Sequence, residues 1–92
     1  MKLVEIRNSS RADKRLMAVF EDPKKTVHFG LRGGSTFIDH RDELKKEAYI
    51  ARHRVNEDWS LPDKAGTLSR YILWNKPTLK DSIQDYKRKY NL

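Results

Sequence analysis

The hydrophobic period of this chain changes once, near Leu31, and that switch constrains the fold more than any other feature. Before it the apolar residues mostly alternate: Leu3, Val4 and Ile6 form a short run, Leu16, Ala18 and Phe20 alternate, and Val27, Phe29 and Leu31 alternate again. Alternation over roughly four to eight residues marks a strand buried on one face. Turn residues separate the runs, first Asn8-Ser9-Ser10 with Asp13, then Glu21-Asp22-Pro23. The pattern predicts three antiparallel strands, about 2–7, 14–21 and 25–31, joined as a meander.

After Leu31 the spacing is helical. Arg32-Gly33-Gly34-Ser35-Thr36 reads as a flexible turn. From about Arg41, Leu44, Ala48, Ala51 and Val55 recur at intervals of four, three and four, which predicts a helix turning that stripe to the core. Asp42, Glu43 and Glu47 sit early in it and Arg52 and Arg54 late, as the helix dipole favours. Tyr49 and Ile50 fall on the far side. That side is expected either against the later helices, with Trp59, Ile72, Leu73 and Trp74, or against a partner. Ser60 with Pro62 and Asp63 looks like a second helix start, which Gly66 divides into a turn ending at Ala65 and a helix from Thr67 to near Trp74. Asn75-Lys76-Pro77 is a stop. Thr78, with Asp81 three residues on, opens a third helix whose Leu79, Ile83, Tyr86 and Tyr90 share one stripe. The expected class is α+β: one domain, 1–92, with a three-stranded antiparallel meander (1–31) and about three helices (41–91) packed on one face. The open sheet edges invite pairing, including with a second copy.

Composition narrows the function classes. The chain has 92 residues, a formal charge of +7 and no cysteine, which removes disulfide frameworks, Cys-zinc sites and thiol catalysis. Nine aromatics argue against wholesale disorder. No apolar run suits a membrane span or a signal peptide, so an intracellular, non-secreted location is expected.

Catalysis finds little support. His28, His40 and His53 have no HxxxH spacing, and His28 lies on the strand face opposite Val27 and Phe29. Asp39-His40-Arg41-Asp42 reads as a helix entry with a capping carboxylate. Glu5, Asp13, Glu21, Asp22 and Asp39 are scattered, so a metal-dependent nuclease ranks low. Gly33-Gly34-Ser35 is no nucleophile elbow. Gly30 to Thr36 is no P-loop either, because no Gly-Lys-Ser/Thr follows, though it suits an accessory phosphate contact. No catalytic residue, metal site or cofactor is expected.

The charge divides as +3 over residues 1–40, zero over 41–59 and +4 over 60–92. The first helix is therefore neutral, unlike a recognition helix. Two basic clusters remain as candidate phosphate contacts: Arg7, Arg11, Lys14 and Arg15 around the first turn, joined by Arg32, and Lys87-Arg88-Lys89 at the C-terminus.

Thr26-Val27-His28-Phe29-Gly30, Gly34-Ser35-Thr36-Phe37, Asp39-His40-Arg41-Asp42, Tyr49-Ile50-Ala51-Arg52-His53, Glu57-Asp58-Trp59 and Leu73-Trp74-Asn75-Lys76-Pro77 carry a resemblance. Over residues 26–92 the sequence resembles a small family of uncharacterised proteins encoded by nucleocytoplasmic large DNA viruses of algae and amoebae. The resemblance implies a viral protein made in an infected cell and packaged in the virion. It carries over no catalytic residue. Arg52 and His53 match the family's Arg-His pair, a candidate either for binding a ligand or for bracing the fold. Together these readings lead to the expectation of a small basic, non-enzymatic viral protein contacting nucleic acid through phosphates. The alternative is a minor capsid or other assembly protein.

Overall fold

A computed structural model describes residues 1–92. Strands β1 (Lys2–Asn8), β2 (Lys14–Glu21) and β3 (Lys25–Leu31) form one antiparallel sheet in the order β1-β2-β3, within a residue of the expected boundaries. The register sets Leu16 opposite Asn8 and Phe29, Ala18 opposite Ile6 and Val27, and Phe20 opposite Leu3. Directly opposed residues share a sheet face, so these alternating side chains make one apolar surface. In β1 this needs a register shift between Leu3 and Glu5, which leaves Val4 exposed and returns Ile6 to the side of Leu3.

The helical part holds α1 (Phe37–His40), α2 (Glu43–His53), α3 (Ala65–Leu68) running on as a π-helical segment (Ser69–Leu73), and α4 (Leu79–Tyr90). The chain is thus α+β, as expected, with the helices arranged differently in detail. One of them, α1, is a single turn not foreseen. Asp39 Oδ2 accepts from the Thr36 N–H at 2.8 Å, forming a capping box, and Arg41 at φ 56° ends the turn. Asp42 then caps α2, its Oδ1 accepting from the Leu44 and Lys45 amides at 3.0 and 3.3 Å. Residues expected to enter one helix therefore separate two.

Ser60 does not start a helix, which corrects the sequence reading. Its N–H donates to Asp58 Oδ1 at 2.9 Å in a turn, and α3 begins at Ala65 after Lys64. The hydroxyls of Tyr86 and Tyr90 donate to the carbonyls of Pro62 and Trp59, holding that stretch of chain against α4 instead. Thr78 caps α4 as expected, accepting from the Asp81 amide at 3.2 Å.

The core joins Leu3, Leu16, Ala18, Phe20 and Phe29 of the sheet to Leu68, Ile72, Leu73 and Tyr86. Leu79, Ile83 and Tyr90 of the α4 stripe pack around it. The stripe assigned to α2 is different. Leu44 and Val55 are 77% and 75% exposed, and Ala48 and Ala51 are exposed between them, so the face expected to be buried looks outward. The buried residue of α2 is Tyr49. An aromatic side chain hides far more surface than an alanine stripe can, and Tyr49 finds Trp74 to stack on. That contact decides which way α2 turns.

Candidate functional site

A cleft of about 400 Å³ opens between the β3–α1 loop, α2 and the π-helical segment. Its back wall is aromatic. Tyr49 lies flat on Trp74, ring centroids 4.4 Å apart and planes within 6°, and also stacks with His53 at 4.2 Å. Stacked pairs of this kind add about 0.5–1.5 kcal/mol each beyond the area they bury. His40 leans on Trp74 from α1 at 5.4 Å. Burial, reinforced by the negative charge of Glu57, pushes the Tyr49 phenol up to about 12.

His53 is fixed by a second contact, Nδ1 to Glu57 Oε2 at 3.0 Å. A carboxylate only accepts, so Nδ1 carries the hydrogen. Glu57 in turn lies against Gly66, where a Cβ would collide with Oε1. Only glycine lets the carboxylate come this close. The spacing Tyr49, His53, Glu57 repeats every four residues, which is the sequence signal that could have revealed this face of α2.

The front wall is the loop after β3. The Gly34 N–H donates to the Leu31 carbonyl at 3.0 Å and closes a turn whose Gly33 sits at φ 85°. Thr36 is fully engaged: its hydroxyl donates to Asp39 Oδ2 at 2.9 Å and accepts from Arg15 Nη1 at 3.2 Å. Asp39 also receives both Arg15 Nη groups at 2.7 Å. That pair, with the Thr36 hydrogen bonds, holds the Asp39 carboxyl well below the usual carboxylate range, against the opposing effect of burial. The amides of Gly33 and Ser35 have no backbone partner in the chain. Ser69 adds a hydroxyl from the π-helical segment, and Arg52 lines the cleft with its guanidinium in no ion pair. The cleft therefore offers a cation, hydroxyls and the unused Ser35 amide beside an aromatic wall, a donor set suited to an anion.

The candidate phosphate contacts fall into two places. Arg7, Arg11, Lys14, Arg15 and Arg32 gather at the sheet end where the β1–β2 turn meets β3: the Arg32 N–H donates to the Asp13 carbonyl at 3.2 Å, and Lys14 pairs with Leu31. Arg15 is committed to Asp39, and Arg32 Nη2 clamps the carbonyls of Ser9 and Arg11 at 3.0 and 2.9 Å. Arg7 and Arg11 make loose exposed pairs with Glu5 and Asp13 at 3.5 and 3.3 Å. Lys87, Arg88 and Lys89 are exposed on the last turns of α4, with Arg88 at 3.5 Å from Asp85 and Lys89 over the rings of Tyr71 and Tyr90. Arg52 and His53, singled out as a pair, meet at the cleft. Ser35 joins them from the loop expected to suit an accessory phosphate contact, whereas Tyr49, Trp74, Glu57 and Ser69 were not foreseen as parts of a site.

No group of three or more His, Asp or Glu side chains is placed to hold a metal ion. His28 binds the Ser9 hydroxyl through Nδ1 at 2.7 Å, far in sequence from the other two histidines. No helix is long and apolar enough to cross a membrane.

A family model described as a family of unknown function (DUF5754) matches residues 4–53, from β1 through the Arg52-His53 pair. The chain is 31% identical over 80 residues to "Uncharacterized protein L851" of Acanthamoeba polyphaga mimivirus, covering 77% of this chain and 80% of that protein. No solved structure matches.

Proposed function

The chain belongs to the family of unknown function DUF5754, and from that premise we propose a non-enzymatic module that binds nucleic acid through its phosphates, with the cleft at Arg52 as the seat of one phosphate. The observation that carries the reading is Arg52, an unpaired guanidinium that lines a cleft together with Ser35, whose amide has no backbone partner. Its rim continues along Leu31 to Lys14, Arg11 and Arg32 at the sheet end, which supports a track of phosphate contacts. Such contacts position a backbone and carry no sequence preference. A mimivirus relative agrees with a setting in the infected cell or the particle assembled there.

Fluorescence anisotropy of labelled duplex and single-stranded DNA, at low and moderate salt, tests the proposal. Binding is expected to weaken steeply with salt. Arg52→Ala and Lys14→Ala are each expected to lower affinity several-fold and reduce the salt slope by about 1. No binding at low salt overturns the function. Binding that Arg52→Ala leaves unchanged overturns the cleft as its seat.

A further inference from the structure

The polar groups that line the cleft differ in what they already hold. Thr36 is spent on Asp39 and Arg15. The hydroxyls of Ser35, Ser69 and Tyr49 make no hydrogen bond within the chain and keep contact with solvent, and the Ser35 amide has no backbone partner. Burial, with the charge of Glu57, pushes the Tyr49 phenol up to about 12, so it stays a donor at neutral pH. Arg52 adds the fork of an unpaired guanidinium, and no carboxylate lines the cleft.

A phosphate inside a strand presents two free oxygens and one negative charge. A terminal phosphate presents three and, at neutral pH, close to two charges. A guanidinium fork, three hydroxyls and an amide in one cleft match the terminal group better. At about 400 Å³ the cleft is also at the small end of ligand pockets, a socket rather than a groove that follows a strand through. The charges beyond it make the cleft one-sided. From Leu31 the next charges are Lys14, which pairs with Leu31 across the sheet, then Arg32 and Arg11. Behind His53 they are Glu57, bonded to its ring, and Asp58, both of which repel a phosphate. A strand seated here is drawn out along the basic side and repelled along the acidic one.

We infer that the cleft captures the terminal phosphate of a nucleic-acid strand, the strand running out over Leu31 to Lys14, Arg11 and Arg32. This rests on the reading of the cleft as a phosphate seat, and it names a strand end in place of any position along the backbone.

Fluorescence anisotropy of internally labelled single-stranded DNA tests it, with a phosphate at the 5′ end, at the 3′ end or at neither. A hydroxyl-ended oligomer one nucleotide longer carries the same number of phosphates and controls for charge. One phosphorylated end is expected to bind about tenfold tighter than that control. Arg52→Ala, at an exposed position, is expected to remove the preference. Tyr49→Phe keeps the ring on Trp74, removes one donor and should lower the preference severalfold. Circular dichroism should show both variants folded. A mononucleotide, which lacks the run-out over Lys14 and Arg32, should compete far more weakly than the phosphorylated oligomer. Equal binding of all ends overturns the inference, as does a preference that both variants retain or a mononucleotide that competes as well as the strand. If ends bring nothing while Arg52→Ala still weakens binding, the cleft remains a seat for internal phosphates and only this inference falls. No binding of any oligomer at low salt overturns both.

Discussion

Replacing Asp39 with Ala probes how the sheet, the β3–α1 loop and α1 are joined. The carboxylate accepts four hydrogen bonds: two from Arg15 at 2.7 Å, one from the Thr36 amide at 2.8 Å and one from its hydroxyl at 2.9 Å. Losing the capping contact costs about 1 kcal/mol. The Arg15 pair is bidentate, but its side chains are 26% and 35% exposed, so water screens it. About 1 kcal/mol is a fair value between an open surface pair and a buried one. The sum is about 2 kcal/mol, which in a chain this size lowers Tm by roughly 8–16 °C. Urea unfolding followed by circular dichroism measures it, and a cycle with Arg15→Met should return a coupling of about 1 kcal/mol. Asp39→Asn adds a pH test. The folded state lowers the pKa of this group, through Arg15 first and the Thr36 contacts after it, so the fold favours the charged form. Its contribution is complete above the unfolded pKa near ~4 and is lost as pH falls below it. The stability gap between wild type and Asp39→Asn should therefore be widest near neutrality and close in acid. A gap constant down to pH ~2, or an Asp39→Ala cost under about 0.5 kcal/mol, would refute the reasoning.

Two further outcomes are expected. Gly30→Ala puts a Cβ 2.7 Å from Leu73 Cδ1 at a residue with φ 78°, and should cost about 1–3 kcal/mol in urea unfolding; a variant as stable as wild type would contradict the contact. Tyr49 and Tyr90, both pushed up to about 12 chiefly by burial, should ionise late in an absorbance titration. Raised phenol pKa values stabilise the fold fully below the ordinary ~10 and lose that contribution as pH rises towards 12, so unfolding should set in across that window. Normal phenol titration in a folded chain would contradict it.

The strands were legible because a half-buried strand writes its burial directly into a period of two, and Leu16-Ala18-Phe20 and Val27-Phe29 obey it; Leu31, expected on the same face, is 70% exposed because the strand ends there beyond the cover of the helices. The α4 stripe was legible for the same reason, with Thr78 marking its start. For α2 the period was read correctly and its direction was not. Periodicity finds a face but does not say what the face meets. Leu44, Ala48, Ala51 and Val55 form the more regular stripe, yet the partner that mattered was Trp74, more than twenty residues away, and it selected Tyr49. The turn at Arg41 was hidden too, because a non-glycine residue in the left-handed region leaves no compositional mark.

The same inversion bears on the site. With the aliphatic stripe buried, Arg52 would stand at the edge of the core, and the Tyr49 face would meet the later helices or a partner; it does meet Trp74, while the aliphatic stripe stays uncovered. With Tyr49 turned in, one helix serves two surfaces: an inner face that builds the cleft wall with His53 and positions Arg52 at its edge, and an outer stripe with nothing of the chain over it. The two are mechanically coupled, since any rotation of α2 that covered Leu44 would pull Tyr49 from Trp74 and His53 from Glu57. Tyr49→Ala should therefore loosen both. It removes the stack that fixes the helix, so the cleft and the outer stripe are expected to lose their definition together. Amide exchange of α2 in that variant, compared with α4, measures the effect. Protection lost in α2 and kept in α4 is the expected result; equal protection in both would show that something other than the Tyr49 stack orients the helix.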